Sequence, residues 1–245
     1  HGYNVMLCQH LVEPKISAEY LKYLRQKTVD GLIVLDNTFN NSILEGFDYA
    51  NYPIIQCSQY GENVPLPYVT VDDKNAMKTL VRYLLGTGRH RIALMNGDRR
   101  FIYAKNRLAG FEQALADAGI EADPALIKYV DVLDYQSAMV TAADLIERDN
   151  PPEAIIGVSD VFALAALKVG LRRGLKVPKD ISIASFDNTE LTVLAEPSIT
   201  SISQPRYNLG VEACKMLFEK MENFNAPIRQ VQLQAELIIR ESTML

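Results

Sequence analysis

The residues with the best means of doing chemistry sit just after short apolar runs. Asp36 and Asn37 follow GLIVL, Ser58 follows PIIQC, Ser159 and Asp160 follow AIIGV, and Asp187 and Asn188 follow ISIASF. Tyr103 and Arg107 lie four residues apart in FIYAKNRLAGF, and Asp72 and Asp73 form an adjacent carboxylate pair. A guanidinium presents five donors in a planar fork, and an ionised carboxylate accepts charge-assisted hydrogen bonds. These are the means of holding a small polar molecule. Each residue also has a structural explanation. Arg107 reads equally as a surface arginine at the start of an amphipathic helix. Asp187 and Asn188 read as turn or capping residues before TELTVL, and Asp160 reads as an N-cap. Asp72 and Asp73 stand where a helix begins, so capping is preferred there over metal or acid–base work.

Catalysis finds little support. There is no GxGxxG after a strand, no GxxxxGK[ST] phosphate loop and no GxSxG elbow. A lone arginine and aspartate suit binding, whereas a catalytic pair needs a base of tuned pKa. The histidines (His1, His10, His90) have no zinc spacing, so no metal and no cofactor are expected. Cys8, Cys57 and Cys214 lie in apolar surroundings without a CxxC, which predicts buried free thiols in a reducing compartment. The 245 residues are 48% hydrophobic and 22% charged, as in an ordinary globular protein. The net charge of −5 lacks the basic excess that nucleic-acid binding needs, so any DNA contact must come from another segment. No apolar run approaches the ~20 residues of a membrane span, and no signal peptide is visible at the start.

The elements that position these residues follow from periodicity. Strands are predicted at 3–9, 31–35, 53–58, 68–71, 91–96, within 125–132, at 154–158 and at 181–186. Helices are predicted at 17–27 with Ser17 as N-cap, around 40–50, at 73–85, 106–118, 136–148 and 161–173, with Gly119 and Gly174 as C-caps. This alternation argues for parallel sheets covered by helices on both faces, with ligands beyond the carboxyl ends of the strands. The tips to inspect follow Leu35, Cys57, Asn96, Val132, Val158 and Phe186. PLPYVTVDD (65–73) and ISQPR (202–206) are candidate crossovers between two lobes. His1-Gly2 resembles the C-cap of a preceding helix, so the sequence is expected to begin inside a domain.

Seven segments follow one another in a recognisable order: VDGLIVL, YVTVDD, GTGRHRIALMNGD, NRLAGFEQAL, PPEAIIGVSDVFALAAL, GLKVPKDISIASFDN and the tail EPSITSISQPRYNLG…ELIIREST. Together they resemble the effector-binding core of LacI-type bacterial transcription repressors over essentially the whole chain. QPRYNLGVEA and ELIIREST are most similar to the cytidine-responsive branch.

The resemblance implies an α/β fold of two Rossmann-like lobes, of the periplasmic-binding-protein type I, joined by three crossovers. It places 1–69 and about 204–227 in the first lobe, and 70–203 with a final strand and tail over about 228–245 in the second. It implies a small effector, nucleoside or sugar, in a cleft that Arg107 and Asp187 line, with Tyr103, Asp36, Asn37, Ser58, Ser159, Asp160, Asn188 and Val132 as further candidates. Relatives that bind purines or cytidine carry a stacking aromatic at the position of Val132, and many carry an aspartate at that of Ser58. Both departures open the sugar alternative. The resemblance further implies a cytoplasmic homodimer without membrane contact, reading operator DNA through an N-terminal helix-turn-helix headpiece outside this sequence. A periplasmic sugar receptor of the same fold, and a hydrolase or nucleoside-processing enzyme, are the rival functions. Arg107→Ala or Asp187→Ala is expected to abolish effector response while leaving the fold intact.

Overall fold

The computed structural model describes residues 2–8, 14–35, 47, 49–130 and 134–244. Along the chain run α1 (Pro14–Arg25), β1 (Leu32–Val34), β2 (Ile54–Cys57), β3 (Tyr68–Val71), α2 (Asp73–Gly86), β4 (Ile92–Asn96), α3 (Ile102–Asp117), β5 (Ile127–Tyr129), α4 (Tyr135–Ile146) and β6 (Ala154–Gly157). Then follow α5 (Asp160–Arg172), β7 (Ser182–Asp187), α6 (Glu190–Leu194), β8 (Thr200–Ser203), α7 (Arg206–Glu222), β9 (Gln230–Leu233) and β10 (Glu236–Ile238). The chain divides into two compact units, His1–Thr70 with Tyr207–Gln232, and Val71–Arg206 with Leu233–Leu245.

The first unit carries a four-stranded sheet in the order β1-β2-β3-β9, with β1, β2 and β3 parallel. β2 is buried along its whole length because helices cover both of its faces. Leu21 and Leu24 of α1 cluster with Val34, Ile54, Val64 and Leu66 on one face. On the other, the Cys57 thiol lies against the Leu209 carbonyl of α7.

The second unit is built on six strands in the order β10-β8-β7-β6-β4-β5, parallel except for β10, which runs antiparallel to β8. Fully buried Met77, Leu80, Leu94, Phe111, Leu145, Ile155, Phe162, Ile183 and Phe186 form one core. Burial of each such side chain contributes about 1.5–3 kcal/mol. Helix starts are set by short acceptors. Asp72 accepts from the Asn75 amide at 3.1 Å and starts α2, and Asp134 accepts from that of Ser137 at 2.8 Å and starts α4.

Several expectations are corrected. Residues 2–8 form no strand, and Val5 and Leu7 are 93% and 87% exposed. Apolar residues make a strand only where a neighbour completes the backbone ladder. This segment instead touches the protein through Tyr3, whose ring lies 5.3 Å from that of Phe218. The first helix begins at Pro14, not after Ser17, which fits proline's preset φ in a first turn. α3 begins one turn before 106, at Ile102, after Phe101 with no side-chain cap to announce it. The expected final strand is two strands. β9 stays beside β3 in the first sheet and β10 joins the second, so the chain crosses after Gln232. Only Cys57 is a buried thiol; Cys8 and Cys214 are exposed, the latter on the outer side of α7. The helix expected around 40–50 lies largely outside the described residues.

Candidate functional site

The carboxyl ends of β4, β6 and β7 in the second unit bring together residues that are far apart in sequence. Arg107 projects from the second turn of α3. Its Nε donates to Asp73 Oδ1 at 2.8 Å, and its Nη1 to the Val158 carbonyl, just past β6, at 2.5 Å. The guanidinium stacks 3.5 Å over the Phe186 ring and stands 4.9 Å from that of Tyr103. Arg107 is 5% exposed and Asp73 3%, so this is a buried ion pair and not a surface arginine. Burial pushes the Asp73 carboxyl up, and the charge and hydrogen bond of Arg107 oppose that shift. Sequence reasoning assigned Asp73 a capping role with Asp72. Only Asp72 caps; Asp73, one position on, turns inward to the arginine. With its partner this deeply buried, Arg107→Ala is expected to destabilise the fold as well, because that change strands a buried carboxylate.

Asp187 ends β7, and Arg107 Nη1 lies 3.9 Å from its Oδ1. That separation exceeds a hydrogen bond, and a hydroxyl lying beside the line between the two atoms would meet a donor in one and an acceptor in the other. Gln204 Nε2 donates to the same Oδ1. Burial pushes Asp187 up to about 6; Arg107, Gln204 and Arg206 oppose the shift, and the charge of Asp160 adds to it. Asp187 and Asn188 both have positive φ, +115° and +56°. Asn188 is held on several sides. Its amide N–H donates to Ser201 Oγ and its Nδ2 to Ser203 Oγ, each at 3.0 Å.

The other candidates separate. Ser159, not Asp160, is the N-cap of α5, accepting from the Phe162 amide at 3.4 Å. Asp160 is 2% exposed, and its carboxylate accepts from the Thr189 amide at 2.6 Å and the Ser201 hydroxyl at 3.3 Å. It braces the Asn188 turn from beneath. Tyr103 is half-buried beside Gly97, where an added Cβ would meet the tyrosine hydroxyl at 2.2 Å. Burial also raises the Tyr103 pKa. Ser58 ends β2 in the first unit, at a φ of +68°. Asp36, Asn37 and Val132 lie outside the described residues. Asp73, Phe186, Gln204 and Ser201 were missed. The sequence signals available were an acidic residue opening α2 and the polar alternation of SISQ, both of which read equally as capping and surface. Among the described residues no His, Cys, Asp or Glu cluster is placed to hold a metal ion.

Three comparisons bear on this arrangement. Residues 1–241 match the family model for periplasmic binding proteins and the sugar binding domain of the LacI family. The HTH-type transcriptional repressor CytR of Escherichia coli is 34% identical over 247 residues, covering 99% of this chain and 71% of the repressor. Among solved structures, a Bacillus cereus protein described as a LacI transcriptional regulator superposes with a TM-score of 0.90 at 27% identity, covering 99% of this chain and 86% of its own. The transcriptional regulator CelR in complex with cellobiose superposes with a TM-score of 0.83 at 29% identity, covering 93% and 70%.

Proposed function

Since the chain belongs to the LacI family, with the two-lobed fold of periplasmic binding proteins, we propose that Arg107 and Asp187 are the primary contacts for its effector. The chain is the effector-binding core of a transcriptional regulator and not an enzyme. The observation that carries the site assignment is the 3.9 Å gap between Arg107 Nη1 and Asp187 Oδ1 at the strand tips. A hydroxyl lying beside the line between them bridges the two atoms at hydrogen-bond distance from each, and nucleosides and sugars both supply one. The cellobiose bound to CelR supports the sugar, and the likeness to CytR supports the nucleoside.

Effector binding acts by its different affinity for two conformational states of the regulator. The two states differ in how well a homodimer presents paired helix-turn-helix headpieces to half-sites on successive major grooves. The acidic body, with a net charge of −5, supports assigning operator contact to such headpieces. This assignment sets the regulator in the cytoplasm. Titration calorimetry with cytidine and with cellobiose tests the site. Binding of whichever probe binds is expected to weaken by about ten- to a hundredfold in Asp187→Ala, and unchanged affinity in that variant would overturn the assignment.

A further inference from the structure

The Asp187–Asn188 turn is an improbable piece of backbone. Two consecutive non-glycine residues have positive φ, and Asp187 at +115° lies well outside the left-handed well. Such a conformation persists only where its surroundings over-determine it. Ser201 and Ser203 supply part of that hold, and so does the Asp160 carboxylate, which accepts from the Thr189 amide. Thr192 Oγ1 donates to Asn188 Oδ1 and Arg206 Nη2 to the Asn188 carbonyl, each at 3.3 Å, and the shortest bond to the Asn188 side chain comes from a residue more than fifty positions away. Arg240 Nη2 donates to Asn188 Oδ1 at 2.7 Å, and its Nη1 donates to the Ile199 carbonyl at 2.8 Å and to Thr192 Oγ1 at 3.3 Å.

One guanidinium thus ties together the turn, helix α6 and the entry to β8. Its own base is fixed. The Arg240 amide donates to Thr200 Oγ1 at 2.8 Å. Two residues on, the Ser242 amide donates to the Ser198 carbonyl at 2.9 Å, and Ser242 Oγ donates to that of Ile183 at 2.6 Å. The tail is therefore stitched to β7 and β8 on both sides of the arginine.

We infer that Arg240 is a positioning residue, a clamp that holds Asn188 left-handed and so aims the Asp187 carboxylate. It acts through Asn188 and does not itself meet the effector. Its part in effector binding rests on the assignment of Asp187 above; its hold on the turn does not.

Amide hydrogen exchange in the 245-residue protein tests the clamp without any ligand. In Arg240→Met, exchange at Asn188 and Thr189 is expected to quicken about tenfold or more, while β4 and β6 keep their protection. Arg240→Lys keeps the charge without the planar fork and falls between. Asn188→Gly removes the acceptor and accepts positive φ without strain, so in that background Arg240→Met adds less than about twofold. Unchanged exchange at 188–189, equal acceleration in the glycine background, or uniform loss of protection through the second unit would each overturn the clamp.

Calorimetry with cytidine and cellobiose separates the clamp from the site assignment. Arg240→Met is expected to weaken whichever probe binds by about fivefold or more. If the turn loosens but Asp187→Ala leaves binding intact, the clamp stands and the effector site is wrong. If Asp187→Ala abolishes binding while Arg240→Met changes neither exchange nor affinity, the clamp is wrong and the site stands.

Discussion

Ser58 and Asp187 hold the same kind of position, one in each unit. Each follows the apolar stretch of a covered parallel strand, and each has positive φ, +68° and +115°. They are held differently. Ser58 is pinned by its main chain alone: its amide donates to the Val69 carbonyl at 2.9 Å, and its carbonyl accepts from Thr70 Oγ1 at 2.8 Å. Asp187 pairs with Ser203 along its main chain, and its side chain is engaged as well: Gln204 and Arg107 approach the carboxylate, which burial pushes up to about 6. A tip held by backbone tolerates a change of side chain. A tip held by a half-desolvated carboxylate has traded stability for an acceptor a ligand can use.

The largest effect that can break this contrast lies behind Asp187. Asp73→Ala leaves Arg107 buried without its partner and is expected to cost about 3–5 kcal/mol in urea denaturation, against about 0.5 kcal/mol or less for Ser58→Ala. Asp73→Leu combined with Arg107→Met should recover much of that loss, since a well-packed apolar pair replaces a buried ion pair at little cost. A loss below about 1 kcal/mol in Asp73→Ala would mean that water reaches the pair and that the Asp187 surroundings are no drier than those of Ser58.

Affinity comes next. Removing an acceptor that bonds an effector hydroxyl costs about 1.5–3 kcal/mol, so Asp187→Ala should weaken cytidine or cellobiose by about ten- to a hundredfold. Ser58→Ala should change the same titration far less, and equal losses would erase the distinction between the tips. The pH dependence is smaller and has a definite sign. The folded pKa of Asp187, about 6, lies above its ordinary value of 3.8. Its contribution to stability is therefore present below pH 4 and lost as pH rises through 6. An effector that needs the ionised carboxylate has the opposite slope, binding about tenfold more weakly at pH 5 than at pH 7. Asp187→Asn should flatten that profile, and a persistent slope would assign the proton to another group.

What could be read from the sequence divides along physical lines. Most strands and helices were legible because apolar runs and periodicity report burial directly, as in 92–96 and 160–172. Arg107 and Asp187 stood out as candidates because a resemblance pointed to them and their chemistry suits binding, and the structure brings them within 3.9 Å of each other. Asp73 did not, because an acidic residue at a helix start is explained equally well by capping, and only packing turns it inward. Arg240 did not, because the partners of its guanidinium are separated from it by 41 to 52 positions. Residues 2–8 misled because their composition matches a strand, and composition supplies no hydrogen-bond partner.

The smallest effect is the sharpest test of what the two tips are for. Glycine at a left-handed position removes a cost of about 1 kcal/mol, offset by about 0.5–1 kcal/mol of added chain entropy in the unfolded state. Ser58→Gly should therefore change stability by about 0.5 kcal/mol or less. Asp187→Gly gains at least that backbone relief and also deletes a carboxylate that pays at pH 7 for being buried. It should be more stable than the parent by about 1 kcal/mol, even as it loses effector binding. Urea midpoints of the two variants at pH 7 and at pH 4 decide the matter. At pH 4 the carboxyl is protonated in the fold, so the advantage of Asp187→Gly should shrink toward that of Ser58→Gly. A gain in Ser58→Gly that matched or exceeded that of Asp187→Gly at pH 7 would show that backbone geometry alone distinguishes the two tips, and that Asp187 carries no stored cost for a ligand to exploit.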